Sequence, residues 1–502
     1  VVDLPREEYS SPLETGAALL SRVADFLVRE GVESYVVGGY LRDVLLGKIV
    51  RDIDIAVKGN APHIARQVAI TLGGAWVLLD EVNQIARVVL KGENAAPWHL
   101  DFVPLRGDVR EDLARRDFTI NAMAVSLGEW NRRESLVSSL IDPYGGLLDL
   151  EKKRLRTVSP RAFQEDPARL LRAVRLSAEY GFTIEEETET LIQSQSQLLA
   201  AVAAERVREE LCRLLSCPEA ARFLRYLDRL GLLQVLLPEL TSTRGVEQPR
   251  EHFWDVFDHS IESVATVEFL LREGNGRYGA EVLRSVPWSP ELARYFAEEI
   301  AEGVSRKVLL KLAALLHDIA KPQCRSVAEG GRIRFLGHAR EGASLVEQIL
   351  ERLRFSNREV KMVKKMVEQH LRPGQMSNNA ELPTRRAIYR YFRDTAEVGI
   401  DILFLGLADH LATRGPNLDL ESWREHGRLV EHVLLEKQRQ ESTSPPPKLI
   451  DGHDLIRLFR LSPGPLIGKL LEMVKEAQAA GEISSREEAL ALVRQQLESR
   501  QG

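Results

Sequence analysis

The hydrophobic period of the chain changes once, near Leu150, and this change limits the fold more than any other feature of the sequence. Before it, short apolar runs alternate with segments of helical spacing. Residues 16–30 carry the apolar stripe of an amphipathic helix that Gly31 ends. Residues 35–37, 52–57, 76–79, 86–90 and 99–105 read as strands, with helices at 41–46 and 62–72 between them. After Leu150 the strand signals almost vanish. PARLLRAVRLSAEYG and AERVREELCRLL place apolar residues at helical spacing, with Gly181 and Pro218 as stops. The expectation is an α+β chain: a mixed α/β head over residues 1–150, then an all-helical remainder. STSPPP, residues 442–447, is the clearest linker, extended and semi-rigid.

At 502 residues the chain has room for about three domains of roughly 150 residues each. Its 68 Lys and Arg against 74 Asp and Glu give a net charge of −6, which excludes a uniformly basic nucleic-acid coat but not a local basic groove. Three cysteines, Cys212, Cys217 and Cys324, form no CxxC pair, which argues against a disulfide framework and for a reducing compartment. VVDLPREEYSS lacks the basic start and apolar core of a signal peptide, and no apolar run approaches the ~18 residues of a membrane span. A cytoplasmic protein without membrane partners is expected.

The stretch YVVGGYLRDVLLGKIVRDIDIAV, residues 35–57, holds the first chemical constellation. A strand ends at Gly38-Gly39, and a helix bearing Arg42 and Asp43 follows. Backbone N–H groups at such a turn, with the Arg42 fork beside them, suit phosphate oxygens. Asp52 and Asp54, two apart on the next strand, leave the same face. Two neighbouring carboxylates repel unless a cation lies between them, and Mg²⁺ prefers carboxylate oxygen. Alone, a DxD on a strand is ordinary on a solvated face. Joined to the turn and short helix, it is the plan of a nucleotidyltransferase palm. Asp101, in HLDFVPL, is either a third carboxylate of that site or a structural one.

A second constellation lies in the helical part. KLAALLHDIAK carries His317 and Asp318 near the end of an apolar helix. A lone buried His-Asp would be a satisfied core pair. Here His259, His338, His370 and Asp409 lie on separate helical segments. Imidazoles and carboxylates arriving from several helices are what a Mn, Ni, Fe or Mg site requires.

The head resembles the class II tRNA nucleotidyltransferases, which add CCA to tRNA 3′ ends and include bacterial poly(A) polymerases. Gly38 to Asp43 looks like that family's GGxxRD motif, Asp52-Ile53-Asp54 like its metal-binding DxD, and RRDFTINAMA, residues 115–124, like its RRDFTxNAxA. DPYGG, residues 142–146, followed by Asp149-Leu150, is similar to its hinge between head and neck, and ERVREEL, residues 205–211, to its neck segment. The resemblance implies catalytic Asp52 and Asp54 holding Mg²⁺, and a nucleotide site drawing on Gly38, Gly39, Arg42, Arg116, Asp117 and Asn121.

Residues 165–169, EDPAR, resemble the family's EDxxR template motif. Cytosine and adenine both present an amino donor beside a ring-nitrogen acceptor. Aspartate only accepts and arginine only donates, so an Asp166–Arg169 pair matches both bases. Uracil and guanine would leave buried groups unpaired, at ~1–3 kcal/mol per group. Arg169, Arg172 and Arg175, at i, i+3 and i+6, read as one basic stripe. By the resemblance Arg172 and Arg175 face phosphates; read alone, the stripe is a solvated face.

The order H…HD…H…H…D resembles the HD phosphohydrolase superfamily. It implies His259, His317, Asp318 and Asp409 as metal ligands, with His338 and His370 for a second metal or the substrate phosphate. Residues 461–469, LSPGPLIGK, look like the C-terminal PGPxIGxLL segment of bacterial CCA enzymes, a turn into a helix that either meets RNA phosphate or is purely structural. The family organisation implied is a palm over 1–150, a helical neck with template and RNA-binding residues over 151–245, a helical HD domain over 246–441 and a tail over 448–502 that contacts tRNA.

The implied reaction is transfer of C, A or both from CTP and ATP to the tRNA 3′ end, with pyrophosphate release and a phosphohydrolase in the HD domain. One departure stands out. Only PLRGDVREDLA separates the Asp101 strand from the RRD motif, where family members that add all three nucleotides usually carry a longer loop. The short loop resembles the CC-adding subgroup. The other readings are a poly(A) polymerase and a metal-dependent phosphohydrolase whose head only binds nucleotides. Oligomeric state is left open.

Overall fold

In the computed structural model, residues 12–92, 96–133, 135–274, 278–376, 382–442 and 448–499 are described. The chain forms two compact units, residues 1–202 with 230–232, and residues 203–229 with 233–502.

The first unit is built on a seven-stranded sheet. Its strands are β1 (Ser34–Val37), β2 (Asp52–Val57), β3 (Ala75–Asp80), β4 (Ile85–Leu90), β5 (Trp98–Pro104), β6 (Ala124–Ser126) and β7 (Leu140–Ile141), in the order β3-β4-β5-β2-β1-β6-β7. Every neighbouring pair is antiparallel except β2 and β5. Val36, Val37, Ile53, Ile55, Leu100 and Phe102 are buried along the central strands. Edge strand β3 is the opposite, with Trp76, Val77, Leu78 and Leu79 all exposed.

Eight α-helices complete the unit among the described residues: α1 (Pro12–Arg29), α2 (Gly39–Leu45), α3 (Ala61–Leu72), α4 (Val109–Ala114), α5 (Gly146–Glu151), α6 (Ala162–Glu165), α7 (Arg169–Tyr180) and α8 (Glu186–Gln195). Local chemistry sets their ends. Asn60 accepts a hydrogen bond from the His63 N–H at 2.9 Å to start α3, and Gly73 ends it at φ +71°. In α7, Leu170, Leu171, Ala173, Val174 and Leu176 are buried, and Gly181 ends the helix at φ +67°.

The second unit is mainly helical. Helices Val256–Leu270, Arg306–Leu316, Asn357–Gln369 and Gly399–Arg414 pack around one another. Nearly every residue of Arg306–Leu316 is buried, including Lys311, whose ammonium lies 3.0 Å from both Glu268 and the Cys217 carbonyl. The last three helices, Gly452–Phe459, Pro465–Ala479 and Arg486–Glu498, share a small core of Ile450, Leu455, Leu470, Val474, Ala489 and Val493.

Strands 35–37, 52–57, 76–79, 86–90 and 99–105 form where the sequence places them, to within a residue or two. β6, β7 and three small ladders, Arg154–Leu155 with Thr183–Ile184, Glu299–Ala301 with Val304–Ser305 and Arg325–Val327 with Ile333–Phe335, were not visible in the sequence. Two or three residues are too few to show a period of two. Most of the linker 442–447 lies outside the described residues. Among the described residues, no helix is long and apolar enough to cross a membrane.

Candidate active site and candidate metal centre

Sheet register assembles the first site. β1 and β2 set Val37 opposite Asp54, so Gly38 leaves β1 directly beside that carboxylate. A Cβ on Gly38 would lie 3.1 Å from Asp54 Oδ2 and 2.7 Å from Arg116 Nη1, and φ is +77°. The parallel β2–β5 pair sets Asp52 opposite His99 and Asp54 opposite Asp101. The three carboxylates therefore leave one face of the sheet. His99 Nδ1 lies 2.9 Å from Asp52 Oδ1, and Arg87 on β4 grips Asp101 at 2.7 and 2.8 Å. Burial holds Asp54 above the usual carboxylate range; the nearby Asp101 and Asp52 act the same way, against Arg116 and Arg172. A carboxylate held above its ordinary range between two others is a place where a divalent cation gains binding energy.

The RRD segment and α7 meet above this face. Asp117 accepts from the Phe118 N–H at 2.8 Å and from Asn121 Nδ2 at 3.0 Å, and it forms an ion pair with Arg172 at 2.7 Å. Burial would raise Asp117, but Arg172 and these hydrogen bonds outweigh it and hold the carboxyl below its usual range. Asp166 lies 4.0 Å from Arg169, whose guanidinium also donates to the carbonyls of Ala162 at 3.2 Å and Arg115 at 2.6 Å. The template pair thus stands close without a tight mutual bond.

Two arginines sit differently from the sequence expectation. Arg42 is buried and donates to Asp43 at 2.8 and 3.0 Å, to Asn121 at 2.7 Å and to Tyr180 at 2.5 Å, so its fork is engaged within the protein. Arg175 is also buried and paired with Glu179. The stripe of Arg169, Arg172 and Arg175 does not hold, because six helical positions rotate by roughly 240° and carry the third residue off the line of the first. Arg87, His99 and Tyr180 were not anticipated. For the first two a signal existed: each is a polar residue at alternate positions of an otherwise apolar strand.

In the hinge motif, Asp142 accepts from the N–H groups of Gly146 at 2.7 Å and Leu147 at 2.9 Å, capping α5. Fully buried Asp149 accepts from Thr119 at 2.7 Å, Arg154 at 2.7 Å and Arg156 at 3.0 Å. The residues of this motif thus tie the RRD segment to α5.

In the second unit, six residues on or at the ends of five helices converge. His259, His317 and Asp409 form one group, and Asp318, His338 and His370 another, each with ligand atoms within 4.8 Å of one another. Asp318 belongs to both neighbourhoods. Its Oδ2 lies 3.1 Å from His317 and 3.4 Å from His259, and its Oδ1 lies 3.3 Å from His338 and 3.9 Å from His370. The Nδ1 atoms of His317, His338 and His370 lie 2.7–2.8 Å from the carbonyls of Ala314, Phe335 and Val367, which aims each Nε2 inward. Asp318 Oδ2 also lies 2.5 Å from the Lys321 ammonium, which balances part of the charge of this buried carboxylate. Imidazole nitrogens and carboxylate oxygens converging on one buried point fit divalent cations.

Electrostatics agree with that fit. Burial pushes His259 down and His370 down to about 4. Burial acts the same way on His317, but Asp318 and Asp409 overcome it and push this imidazole up to about 10. A cavity of about 1270 Å³ opens over the cluster, with Arg332, Arg334, Arg340 and Arg372 among its walls.

Three carboxylates on one sheet face and a cluster of six His and Asp residues in a helical body go, in the family matches, with a nucleotidyl-transfer protein that carries an HD domain. The poly A polymerase head-domain model matches residues 34–156, the probable RNA- and SrmB-binding site of polymerase A residues 181–243, the HD domain residues 291–414 and tRNA nucleotidyltransferase domain 2 residues 438–493. The chain is 36% identical to the A-adding tRNA nucleotidyltransferase of Deinococcus radiodurans, over 93% of this chain and 96% of that one. It is 33% identical to the CC-adding tRNA nucleotidyltransferase of Thermus thermophilus, over 93% and 95%. Its fold is that of the Thermotoga maritima CCA-adding enzyme complexed with tRNA, at 22% identity, TM-score 0.61 and coverage of 98% and 99%. The chain belongs to the tRNA nucleotidyltransferase family.

Proposed function

We propose that the chain extends tRNA 3′ ends with nucleotides from CTP or ATP, without a nucleic-acid template and with release of pyrophosphate. The observation that carries this reading is the set of Asp52, Asp54 and Asp101 on one sheet face, beside the Gly38 turn and under Asp117 and Arg172. Asp52 and Asp54 would hold Mg²⁺, which supplies charge for the triphosphate and lowers the pKa of the attacking hydroxyl. The Gly38 turn lets the nucleotide approach the carboxylates, Arg116 and Arg172 balance phosphate charge, and Asp117 with Asn121 orients the sugar. Asp166 accepts from the amino group of cytosine or adenine, and Arg169 donates to the ring nitrogen.

The test is incubation of purified protein with tRNA transcripts ending before CCA, after C and after CC, each with labelled CTP or ATP and Mg²⁺. Stepwise extension by single nucleotides is expected, abolished by Asp54→Asn. No incorporation on any transcript would overturn the reading. A second reading, a product that stops at CC, is favoured by the connection between β5 and α4, which is only residues 105–108. Relatives above 30% identity include both A-adding and CC-adding enzymes, so the products on the three transcripts decide between them.

For the second unit we propose a metal-dependent phosphohydrolase of two divalent ions, one between His259, His317 and Asp409, the other between His338 and His370, with Asp318 serving both. A division into palm, neck, HD domain and tail, and a cytoplasmic location, go with this reading.

A further inference from the structure

One ring of hydrogen bonds closed by an ion pair runs through the first unit, and one of its members, Tyr180, belongs to none of the motifs. The Tyr180 hydroxyl accepts from Arg42 Nη2 at 2.5 Å and donates to Asp43 Oδ1 at 2.8 Å. Arg42 Nη1 donates to Asn121 Oδ1 at 2.7 Å, and Asn121 Nδ2 donates to Asp117 Oδ1 at 3.0 Å. The other Asp117 oxygen pairs with Arg172 at 2.7 Å. Arg172 and Tyr180 both lie on α7, so the ring closes through the helix itself.

We propose that Tyr180 is a positioning residue that fixes the register of the template helix against the palm carboxylates, and so helps to set both rate and base choice. The inference rests on the reading of Asp166 and Arg169 as the template pair. α7 begins at Arg169 and ends at Tyr180, about 16 Å apart at 1.5 Å per residue. Arg169 and Arg172 hold the N-terminal half of α7 to Arg115 and Asp117, and the Tyr180 hydroxyl holds its far end to α2. Without the phenol oxygen that far end is released, and the angle at which Asp166 and Arg169 are presented to Asp54 is held from one end only. The same ring links α7 to α2, the helix that follows the Gly38 turn. The template edge and the turn beside Asp54 therefore share one set of buried bonds, and a shift of about 1 Å in such a constellation costs on the order of a hundredfold in rate.

Tyr180→Phe tests this, because it removes one oxygen and keeps the ring that packs beneath Lys48 at 3.7 Å. With the full chain and a tRNA transcript, kcat for the correct nucleotide should fall tenfold or more, with KM for that nucleotide within threefold of wild type. The ratio of correct nucleotide to UTP or GTP incorporated should fall as well. Lys48→Met, which leaves the hydroxyl in place, should keep wild-type kcat and selectivity. Should Y180F not fold, Asp43→Asn carries the same test, since it weakens the bond at the other end. Wild-type kcat and selectivity in Y180F would overturn the proposal. So would an equal loss for all four nucleotides with a lowered melting temperature, which is the signature of a merely structural tyrosine. A wild-type protein that incorporates nothing would instead overturn the parent reading.

Discussion

At Gly38 three demands meet: a backbone at φ +77°, an Asp54 oxygen 3.1 Å from where a Cβ would stand, and an Arg116 nitrogen 2.7 Å from it. Gly38→Ala should lose about a hundredfold or more in incorporation, since it strains the turn and moves both neighbours, at a stability cost of about 1–3 kcal/mol. Single-turnover incorporation and a melting curve separate the two effects. Residues in the second unit give a pH dependence. Burial, with Lys321 and His259 beside it, pushes His252 down to about 4; burial, with His426 and Arg414 beside it, does the same to His410. Both imidazoles are neutral in the folded protein and take protons more readily when unfolded. Stability is therefore lost as pH falls from about 6.5 to about 4. A melting temperature that falls across that window in the chelated protein, and falls less steeply in His410→Gln, is the expected result. The three palm carboxylates and the six His and Asp residues that cluster in the second unit were legible in the sequence because each chemical type stands out from an apolar surrounding. The fate of Arg42 was not, since its bonds to Asn121 and Tyr180 come from distant parts of the chain, and Arg175 pairs with Glu179 one helical turn on while its own side chain is buried by packing.

Elements follow the same division. β1, β2, β4 and β5 were readable because burial imposes a period of two over four to seven residues, whereas the order of strands in the sheet leaves no local mark. The register between β2 and β5, which brings Asp101 beside Asp54, was likewise invisible in either strand alone. The start of α5 shows how closely two elements are fitted. A Cβ on Gly146 would lie 2.2 Å from the carbonyl oxygen of Thr119, a backbone atom that cannot swing aside. Gly146→Ala should destabilise the first unit by about 1–3 kcal/mol, by overpacking against fixed backbone. Because Thr119 lies two residues from Asn121, nucleotide incorporation should fall with it, which denaturant unfolding and incorporation on one preparation will show.

For the molecule as a whole, the two sites draw on separate sets of residues in separate units. His317→Ala should lower the divalent metal held by the chelex-treated protein, read by elemental analysis, and leave nucleotide incorporation at wild-type level. Asp54→Asn should do the reverse. Coupled loss of both functions from either substitution would contradict this independence. The sequence marked the boundary between an α/β head and a helical body, but the first compact unit runs on to residue 202, beyond the change in hydrophobic period. Helices α6 and α7 belong to the first unit through each other and through the ladder of Arg154–Leu155 and Thr183–Ile184, a fact their own periodicity does not carry.

The carbonyls of Ala314, Phe335 and Val367 have a consequence for how the second site is filled. They hold the Nδ1 side of three imidazoles in place before any ion arrives, so the protein meets the cost of ordering the donors when it folds. A cage of mixed imidazole nitrogen and carboxylate oxygen accepts several first-row ions, because these donor types suit Mn, Fe, Ni and Zn alike. Its occupant in a living cell is then dictated by supply, and a change in the free concentration of one metal over another would retune the chemistry of the site without a change in its architecture.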